Sequence, residues 1–524
     1  MSELLLRGGM VIDGTGTPGR RVDVLVKDGR ITHVDRDLSR QRAPVLDCGG
    51  LAVAPGFIDT HSHSDLELFR DPGLPMKIRQ GVTLEVLGQD GISVAPVRPD
   101  AVAETRRQLA GLLGDPDAAP WSWESTGEYL AALSAARTAP NVAYLVPHGT
   151  LRAYVMGPAA RPPTADELER MERLLDETLA KHAIGLSTGL IYPPCCYAGR
   201  DELLALARVV ARHEAPLVAH MRSESDQILA AIAEMVEIGR AAGCRIHISH
   251  WKIAGRENFA RAGEVIAAVE DAQRGGVVVT CDQYPYASGS TLLGAVLPPW
   301  AHDGGPREAL ARLRSPEARA RMRADMTGPY PQEWDNFWRW TGPEGIVVTD
   351  ARRRKDLVGK TLAEAAAAAG PGVDPLELTL DLLRDEELGV GMVTHSQSEA
   401  VVERLLTRPY VNVCTDGLLG GRPHPRAYGA FARVLARAVR EKGLLKLEEA
   451  VRKMTSQAAR ALNLGRGVGT IAPGQAADLV VFDPARIEDR ATFADPTQLA
   501  VGVEHVLVGG RPAAERPGRL VTRW

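Results

Sequence analysis

Eight short apolar runs, each ending in polar or glycine residues, constrain the fold of this chain more than any other feature. They are GFIDTHSH, LEVLGQD, VAYLVPHG, IGLSTG, PLVAHMR, CRIHISH, VVVTCDQY and YVNVCTDG. Helical patterns separate them, and strands that alternate with helices indicate parallel βαβ units. Eight such units predict an α/β chain folded as a TIM (β/α)8 barrel, whose chemistry lies at the carboxyl ends of its strands.

Both ends of the chain have a different pattern, with alternating apolar and polar residues and Gly or Asp turns. This alternation is typical of antiparallel strands. We therefore expect residues 1–56 and 467–524 to form one small β-sandwich around a barrel domain of residues 57–466.

A long segment separates the seventh run, which ends at Tyr284, from the eighth, which begins at Tyr410. It holds the helical patterns PREALARLRSPEARARMRADM and LAEAAAAAG, and half of the eight tryptophans: Trp300, Trp334, Trp338 and Trp340. We interpret about 290–345 as an insertion over the barrel mouth. A packed subdomain and a lid that closes on substrate are both compatible with this pattern.

Composition excludes several classes of function. Lys and Arg (62) nearly balance Asp and Glu (66), and no basic stripe indicates a nucleic-acid partner. No apolar run reaches membrane-spanning length, and the six cysteines do not form the pattern of a disulfide framework. A cytoplasmic enzyme with a small-molecule substrate is expected, and the pattern leaves the oligomeric state open.

The strongest chemical signal is Asp59-Thr60-His61-Ser62-His63, at the end of the first run. Side chains alternate along a strand, so His61 and His63 are expected on the same side, where they form a pair of metal ligands. His220 and His250 end two adjacent later runs, and Asp416 ends the eighth. Four histidines and an aspartate at one barrel mouth predict a metal site.

This set of residues suits amide hydrolysis. Zinc polarises a carbonyl group and lowers the pKa of a bound water. A carboxylate nearby can take the proton of that water and pass it to the leaving amine, and Asp416 is the candidate for this role.

Two other motifs point to different chemistry. Gly14–Gly19 matches GxGxxG, but it contains Pro18 and runs into a strand, whereas a dinucleotide fingerprint must open a helix. Gly185–Gly189 matches the GxSxG motif of serine hydrolases, but LIYPPCCY follows where that motif needs a helix. We interpret the first motif as a loop. The second leaves a serine hydrolase as the alternative mechanism.

The motifs APGFIDTHSHSD, HMRSE, ISHWK, CTDG, HPRAYGAFARVL and KMTSQAARALNLGRGVGTIAPGQAADLVVFDP resemble N-acyl-D-amino-acid deacylases (D-aminoacylases) of the amidohydrolase superfamily. The resemblance extends over nearly the whole chain. It implies a TIM barrel with a β-sandwich, an inserted mobile segment, and a binuclear-type zinc site with one tight and one weaker position.

The resemblance also implies individual roles. His61 and His63 match the HxH ligands, His220 and His250 match the tight-site ligands, and Asp416 matches the catalytic aspartate. The positions that match substrate-facing residues are Tyr192, Lys252, Tyr284, Ser288 and Arg426. Lys252 and Arg426 suit a substrate carboxylate, because Arg can bind a carboxylate through two hydrogen bonds.

One position departs from the family pattern. The family carries a metal-bridging Cys after its second strand, where this chain has Gln89-Asp90-Gly91. Asp90 is expected to replace that Cys as a metal ligand, although Asp-Gly is also a common turn.

Three functions follow from these observations. The first is hydrolysis of N-acyl-D-amino acids, releasing a carboxylate and a free D-amino acid. The others are a hydantoinase-like or dipeptidase-like amide hydrolase, and a metal-containing barrel that only binds a ligand. The intact Asp416 disfavours the last.

Overall fold

In the computed structural model, which describes residues 3–114, 118–329, 331–465 and 467–522, all eight predicted runs form parallel strands. The strands are Phe57–Asp59, Val82–Leu87, Asn141–Pro147, Gly185–Gly189, Pro216–His220, Arg245–Ile248, Val279–Gln283 and Val411–Val413. Each pairs with the next along the chain, which confirms the predicted barrel.

Contacts just beyond two strand ends join the first strand to the eighth. Ser62 and Gly417 form a parallel bridge, and the backbone N–H of Asp416 donates to the carbonyl of His61 over 2.8 Å. The segments that carry His61 and Asp416 therefore meet where the barrel closes.

Helices cover the outside of the barrel. They are Glu67–Arg70, Pro75–Ile78, Val102–Leu113, Thr126–Ala135, His148–Met156, Ala165–Lys181, Arg200–Arg212, Ile228–Ala242, Ala262–Arg274, Glu399–Leu406, Arg426–Arg433, the π-helical Val434–Glu441, Leu447–Met454 and Ser456–Ala461. In Ala165–Lys181, Met171, Leu175 and Leu179 are buried at helical spacing. Thr164 and Glu167 form a capping box that fixes where this helix begins.

Both termini contribute to a small β-domain, as expected. One sheet contains Glu3–Arg7, Asp23–Lys27, Arg30–Asp35 and Val45–Asp47; the other contains Met10–Val11, Arg20–Arg21, Ala52–Pro55, Leu479–Phe482, Val503–Val508 and Arg511–Pro512. Leu6, Val24 and Val26 pack with Leu479 and Leu507 in one buried cluster. The limits of 1–56, 57–466 and 467–524 stay a prediction, and Arg466 lies outside the described residues.

The segment between the seventh and eighth strands contains a three-stranded sheet of its own. Its strands are Gly289–Leu292, Ile346–Asp350 and Gly391–Thr394, and its helices are Pro306–Arg314, Pro316–Met326, Phe337–Thr341, Leu362–Ala369 and Pro375–Asp385. Leu313, Met322, Leu380 and Met392 are fully buried in one cluster. A separate packed core therefore includes the stretch of about 290–345 and continues to Thr394.

Neither of the two competing motifs has the conformation that its chemistry requires. The Gly14–Gly19 segment is a loop between short strands. Gly185–Gly189 is the fourth barrel strand, and the Ser187 hydroxyl donates to the carbonyl of Gly88 over 2.5 Å. Among the described helices, none is both long and apolar enough to cross a membrane.

Candidate metal centre and active site

His61 and His63 follow the first strand, and their Nε2 atoms lie 3.3 Å apart. Two carboxylates approach this pair. Asp90 Oδ2 is 3.3 Å from His61 Nε2, and Asp416 Oδ1 is 3.4 Å from His63 Nε2. All four side chains are buried, and one ligand atom from each lies within 4.8 Å of the others.

A second group of ligand atoms shares Asp90 with the first. Asp90 Oδ1 lies 3.4 Å from His250 Nε2 and 3.9 Å from His220 Nδ1, while Oδ2 faces the first pair. The two carboxylate oxygens of Asp90 therefore point to different groups, as a bridging ligand requires.

Three of these residues have an unusual backbone conformation. Asp90, His250 and Asp416 have φ values of 55°, 34° and 48°, in the left-handed region that residues other than glycine seldom adopt. Such conformations cost about 1–3 kcal/mol each and cluster at functional sites.

The site leaves several buried polar atoms without hydrogen-bond partners among the described residues. They are Nδ1 of His61 and His63, both ring nitrogens of His220, and Oδ1 of Asp90. An unsatisfied buried polar atom costs about 1–3 kcal/mol, so five in one place need an explanation. Neutral imidazole nitrogens and carboxylate oxygens are ligands of zinc, so the residues present fit one or two such ions.

The electrostatics of the site keep both of its carboxylates ionised. Burial by itself would raise the pKa of Asp90, but the imidazoles of His61 and His250 outweigh it and hold the pKa well below its usual range. Burial would likewise raise the pKa of Asp416, but Arg426 and His61 lower it. Burial lowers the pKa of His220 to about 3. The carboxylates are therefore ionised and His220 is neutral at pH 7.

Sequence reasoning missed Glu224, which lies beneath the second group. Its Oε1 is 3.0 Å from His250 Nδ1 and accepts from Lys252 Nζ over 2.6 Å. Its Oε2 lies 3.5 Å from His220 Nε2. A carboxylate behind a metal-binding histidine fixes the orientation of the ring. The sequence feature that could have identified Glu224 is its position four residues after His220 in the motif HMRSE.

Asp282 was also missed, and it supports the site from the seventh strand. It accepts from the backbone N–H of His250 over 2.5 Å and from Thr60 Oγ1 over 2.8 Å, and lies 3.0 Å from His247 Nε2. Asp282 thereby joins the segments carrying His61 and His250.

Lys77 and Asp59 form a buried ion pair below the first group. Lys77 Nζ donates to Asp59 Oδ2 over 2.6 Å and to Thr415 Oγ1 over 2.7 Å, and the N–H of Thr415 donates to Asp59 Oδ1 over 2.8 Å. These bonds hold the residues immediately before Asp416 against the first strand.

Four of the five predicted substrate-facing residues line one cavity with the metal-binding groups: Tyr192, Lys252, Tyr284 and Arg426. Ser288 does not line it; its hydroxyl is 2.7 Å from His395 Nδ1, while Gly289 and Ser290 line the cavity instead.

The cations and tyrosines in this cavity have partners of their own. Arg426 Nη1 lies 2.8 Å from Asp416 Oδ2, and its guanidinium stacks 4.3 Å from the centre of the Tyr284 ring. Arg426 Nε has no partner among the described residues. The hydroxyl of Tyr192 lies 2.8 Å from Thr291 Oγ1 of the inserted unit.

A parallel eight-stranded barrel with two groups of His and Asp ligands at its mouth is the architecture of a metal-dependent amidohydrolase. A model of the amidohydrolase family matches residues 44–514. The chain belongs to this family.

Full-length relatives place it within a branch of the family. It is 38% identical to N-acyl-D-glutamate deacylase of Alcaligenes xylosoxydans xylosoxydans, covering 99% of this chain and 96% of that one. It is 36% identical to D-aminoacylase of the same organism, with 99% and 98% covered. These relatives confirm the predicted resemblance to N-acyl-D-amino-acid deacylases.

Solved structures agree with this placement. A Bordetella bronchiseptica N-acyl-D-glutamate deacylase, complexed with zinc and a phosphonate mimic of the tetrahedral intermediate, superposes with a TM-score of 0.84 at 35% identity, covering 99% of both chains. A D-hydantoinase from Thermus sp. has a TM-score of 0.55 at 13% identity, with 99% of both chains covered. Similarity to that enzyme extends to the fold alone.

Proposed function

We propose that this enzyme uses zinc to hydrolyse the amide bond of N-acyl-D-amino acids, releasing a carboxylate and a free D-amino acid. One observation carries the proposal: a single cleft brings together two metal-binding groups, an ionised carboxylate and two cations. The 34–38% identity to three deacylases, named for N-acyl-D-glutamate, D-amino acids and N-acyl-D-aspartate, supports the substrate class.

The ligands divide between two positions. Asp90, His220 and His250 would hold one zinc ion tightly, and His61 and His63 would hold a second, weaker one with Asp90 shared between them. A bound zinc ion supplies Lewis acidity, polarising the acyl carbonyl and lowering the pKa of a water molecule towards about 7.

Asp416 has the position and charge of a proton shuttle. Its Oδ2 is engaged by Arg426, which leaves Oδ1 facing His61 and His63. An ionised Oδ1 accepts the proton of the attacking water and then gives it to the departing nitrogen, and one carboxylate performs both transfers in sequence.

Lys252, Tyr284 and Arg426 are proposed to bind the α-carboxylate of the substrate. Lys252 Nζ lies 5.9 Å and the Arg426 guanidinium 4.3 Å from the centre of the Tyr284 ring. Each cation already pairs with one carboxylate, Glu224 for Lys252 and Asp416 for Arg426. The substrate carboxylate would be a further partner, for which Arg426 keeps an Nε without a partner among the described residues. The substrate is a small molecule, and a cytoplasmic location stays a prediction.

A chelation experiment tests the metal dependence. Removing metal should abolish hydrolysis of an N-acetyl-D-amino acid, and zinc should restore it. His220→Ala should lose both zinc and activity, whereas His213→Ala, at a helix end where His213 pairs with Asp176, should lose neither. Full activity in a protein without detectable metal would overturn the proposal.

A further inference from the structure

A second, larger cavity adjoins the catalytic cleft. Its volume is about 410 Å³, and Tyr192 and Phe337 line both spaces. A substrate whose amide lies at the metal-binding groups can therefore extend into it. Pockets for small molecules have volumes of about 300–1,000 Å³, so this one is large enough to hold a substantial group.

Apolar side chains form much of its wall. Val97, Leu190 and Leu297 are buried there, and Trp334 and Phe337 come from the inserted unit. Burying apolar surface against such a wall is favourable by about 25 cal/mol per Å².

The cations in the wall are already engaged. Arg222 donates to both oxygens of Glu234, at 2.9 and 3.0 Å, and to the carbonyls of Cys196 and Ala198, each at 3.0 Å. Arg98 is half exposed and lies 3.2 Å from Asp100 Oδ1. Burial lowers the pKa of His302, whose Nε2 bonds to the carbonyl of Gly294.

Carboxylates outnumber these cations among the described lining residues. Three carboxylates, Glu104, Glu333 and Asp335, line the cavity, against two arginines, Arg98 and Arg222. Arg426 keeps an Nε without a partner among the described residues and is assigned above, with Lys252, to the α-carboxylate. All three guanidinium nitrogens of Arg222 already donate, so a second carboxylate would find no buried cation with a free donor nitrogen among the described residues of this wall. Burying an unpaired charge is strongly unfavourable.

We propose that this cavity receives the amino-acid side chain of the substrate and that the enzyme therefore favours uncharged, apolar side chains over acidic ones. The inference rests on the proposed function. The proposed substrate preference differs from the one that the name of the 38%-identical relative, N-acyl-D-glutamate deacylase, indicates.

Two substrate series with the zinc-loaded enzyme test it. One is N-acetyl-D-alanine, -leucine, -phenylalanine, -glutamate and -aspartate; the other is D-alanine with acetyl, butanoyl and hexanoyl groups. We expect kcat/KM to rise along the apolar members of the amino-acid series, and to be about tenfold or more lower for the acidic members than for leucine. A rise along the acyl series alone would place the acyl group in the cavity and overturn this inference.

A cavity-filling variant tests the location. Ala153 lines the cavity, and Ala153→Phe should lower the ratio of kcat/KM for the bulkiest apolar substrate to that for N-acetyl-D-alanine. Ala131→Phe, the same change at an exposed helix position, should not alter that ratio.

The outcomes separate the two proposals. Preference for glutamate or aspartate, or no rise along the amino-acid series, overturns this inference while leaving the deacylase function intact. If no substrate is hydrolysed, the proposed function fails, and calorimetric binding of N-acetyl-D-phenylalanine against N-acetyl-D-glutamate still decides the preference of the cavity.

Discussion

Asp416 and Arg426 form a buried ion pair, with Oδ2 of the carboxylate 2.8 Å from Nη1 of the guanidinium. The pair fixes the orientation of the carboxylate, because only the other oxygen then faces His61 and His63. It also gives Arg426 a task besides its proposed binding of substrate, since the cation lowers the pKa of Asp416 and keeps it ionised.

Replacing Asp416 by Asn should remove the proton shuttle while keeping its shape. Losing a general acid–base group typically costs about 10²–10⁴-fold, so kcat should fall at least about a hundredfold. Zinc content and the native fold should persist, as measured by metal analysis and circular dichroism. Near-normal kcat in Asp416→Asn would mean that the proton shuttle is elsewhere.

Asp90 should behave as a shared metal ligand. Its two oxygens lie 3.3 Å from His61 Nε2 and 3.4 Å from His250 Nε2, so Asp90→Ala should lose zinc and activity together. Asp90→Cys introduces a soft ligand at the position where the resemblance to the deacylase family implies a Cys, and should keep more of both. Full zinc occupancy in Asp90→Ala would show that Asp90 is a turn residue and not a metal ligand.

Asp335 connects the inserted unit to the metal site. Its carboxylate accepts from Ser223 Oγ over 2.7 Å, from Ser225 Oγ over 2.6 Å and from the N–H of Glu224 over 2.8 Å. Asp335→Ala should release this loop and with it the support that Glu224 gives His250. Losing a residue that orients a metal ligand typically weakens metal affinity about 10–100-fold.

Chelator competition measures that change, and limited proteolysis measures the release of the inserted unit. Asp335→Asn, which can still accept from the two serines, should be affected less. Unchanged zinc affinity in Asp335→Ala would show that the inserted unit and the metal site are independent.

The same residue predicts a pH dependence of stability. Burial raises the pKa of Asp335 to about 6, from an ordinary value of 3.8. Because the folded state binds this proton more tightly, the stabilising contribution is complete below about pH 4 and is lost as pH rises through 6. The loss is at most roughly 3 kcal/mol.

Asp335→Asn cannot titrate, so it should gain stability relative to the natural protein between pH 5 and pH 7. Thermal unfolding of the two proteins across that range measures the difference. A constant difference would contradict the raised pKa.

Local sequence patterns were enough to predict the barrel and most of the His and Asp residues of the candidate metal centre. Each strand is a short apolar run, and a residue at a strand end such as His220 reaches the mouth whichever helices follow it. The sequence placed His61 and Asp416 only at the same barrel mouth; their direct contact is a finding of the structure, because a closed barrel makes the first and eighth strands neighbours.

Other contacts depend on loop geometry that no local pattern encodes. Asp335 meets Ser225 across 110 residues of sequence, and Glu224 reaches His250 through a loop after the fifth strand. The hydroxyl of Ser288 turns to His395, because the chain enters the inserted sheet one residue later. Such contacts require knowledge of how the inserted unit packs on the barrel.

The most direct test of the account is to compare the two enantiomers of one N-acetyl amino acid, such as leucine, with the zinc-loaded enzyme, measuring release of the free amino acid. We predict that kcat/KM for the D enantiomer exceeds that for the L enantiomer by more than about tenfold, or ~1.4 kcal/mol in the transition state. Preference for the L enantiomer, or equal rates, would contradict the central claim.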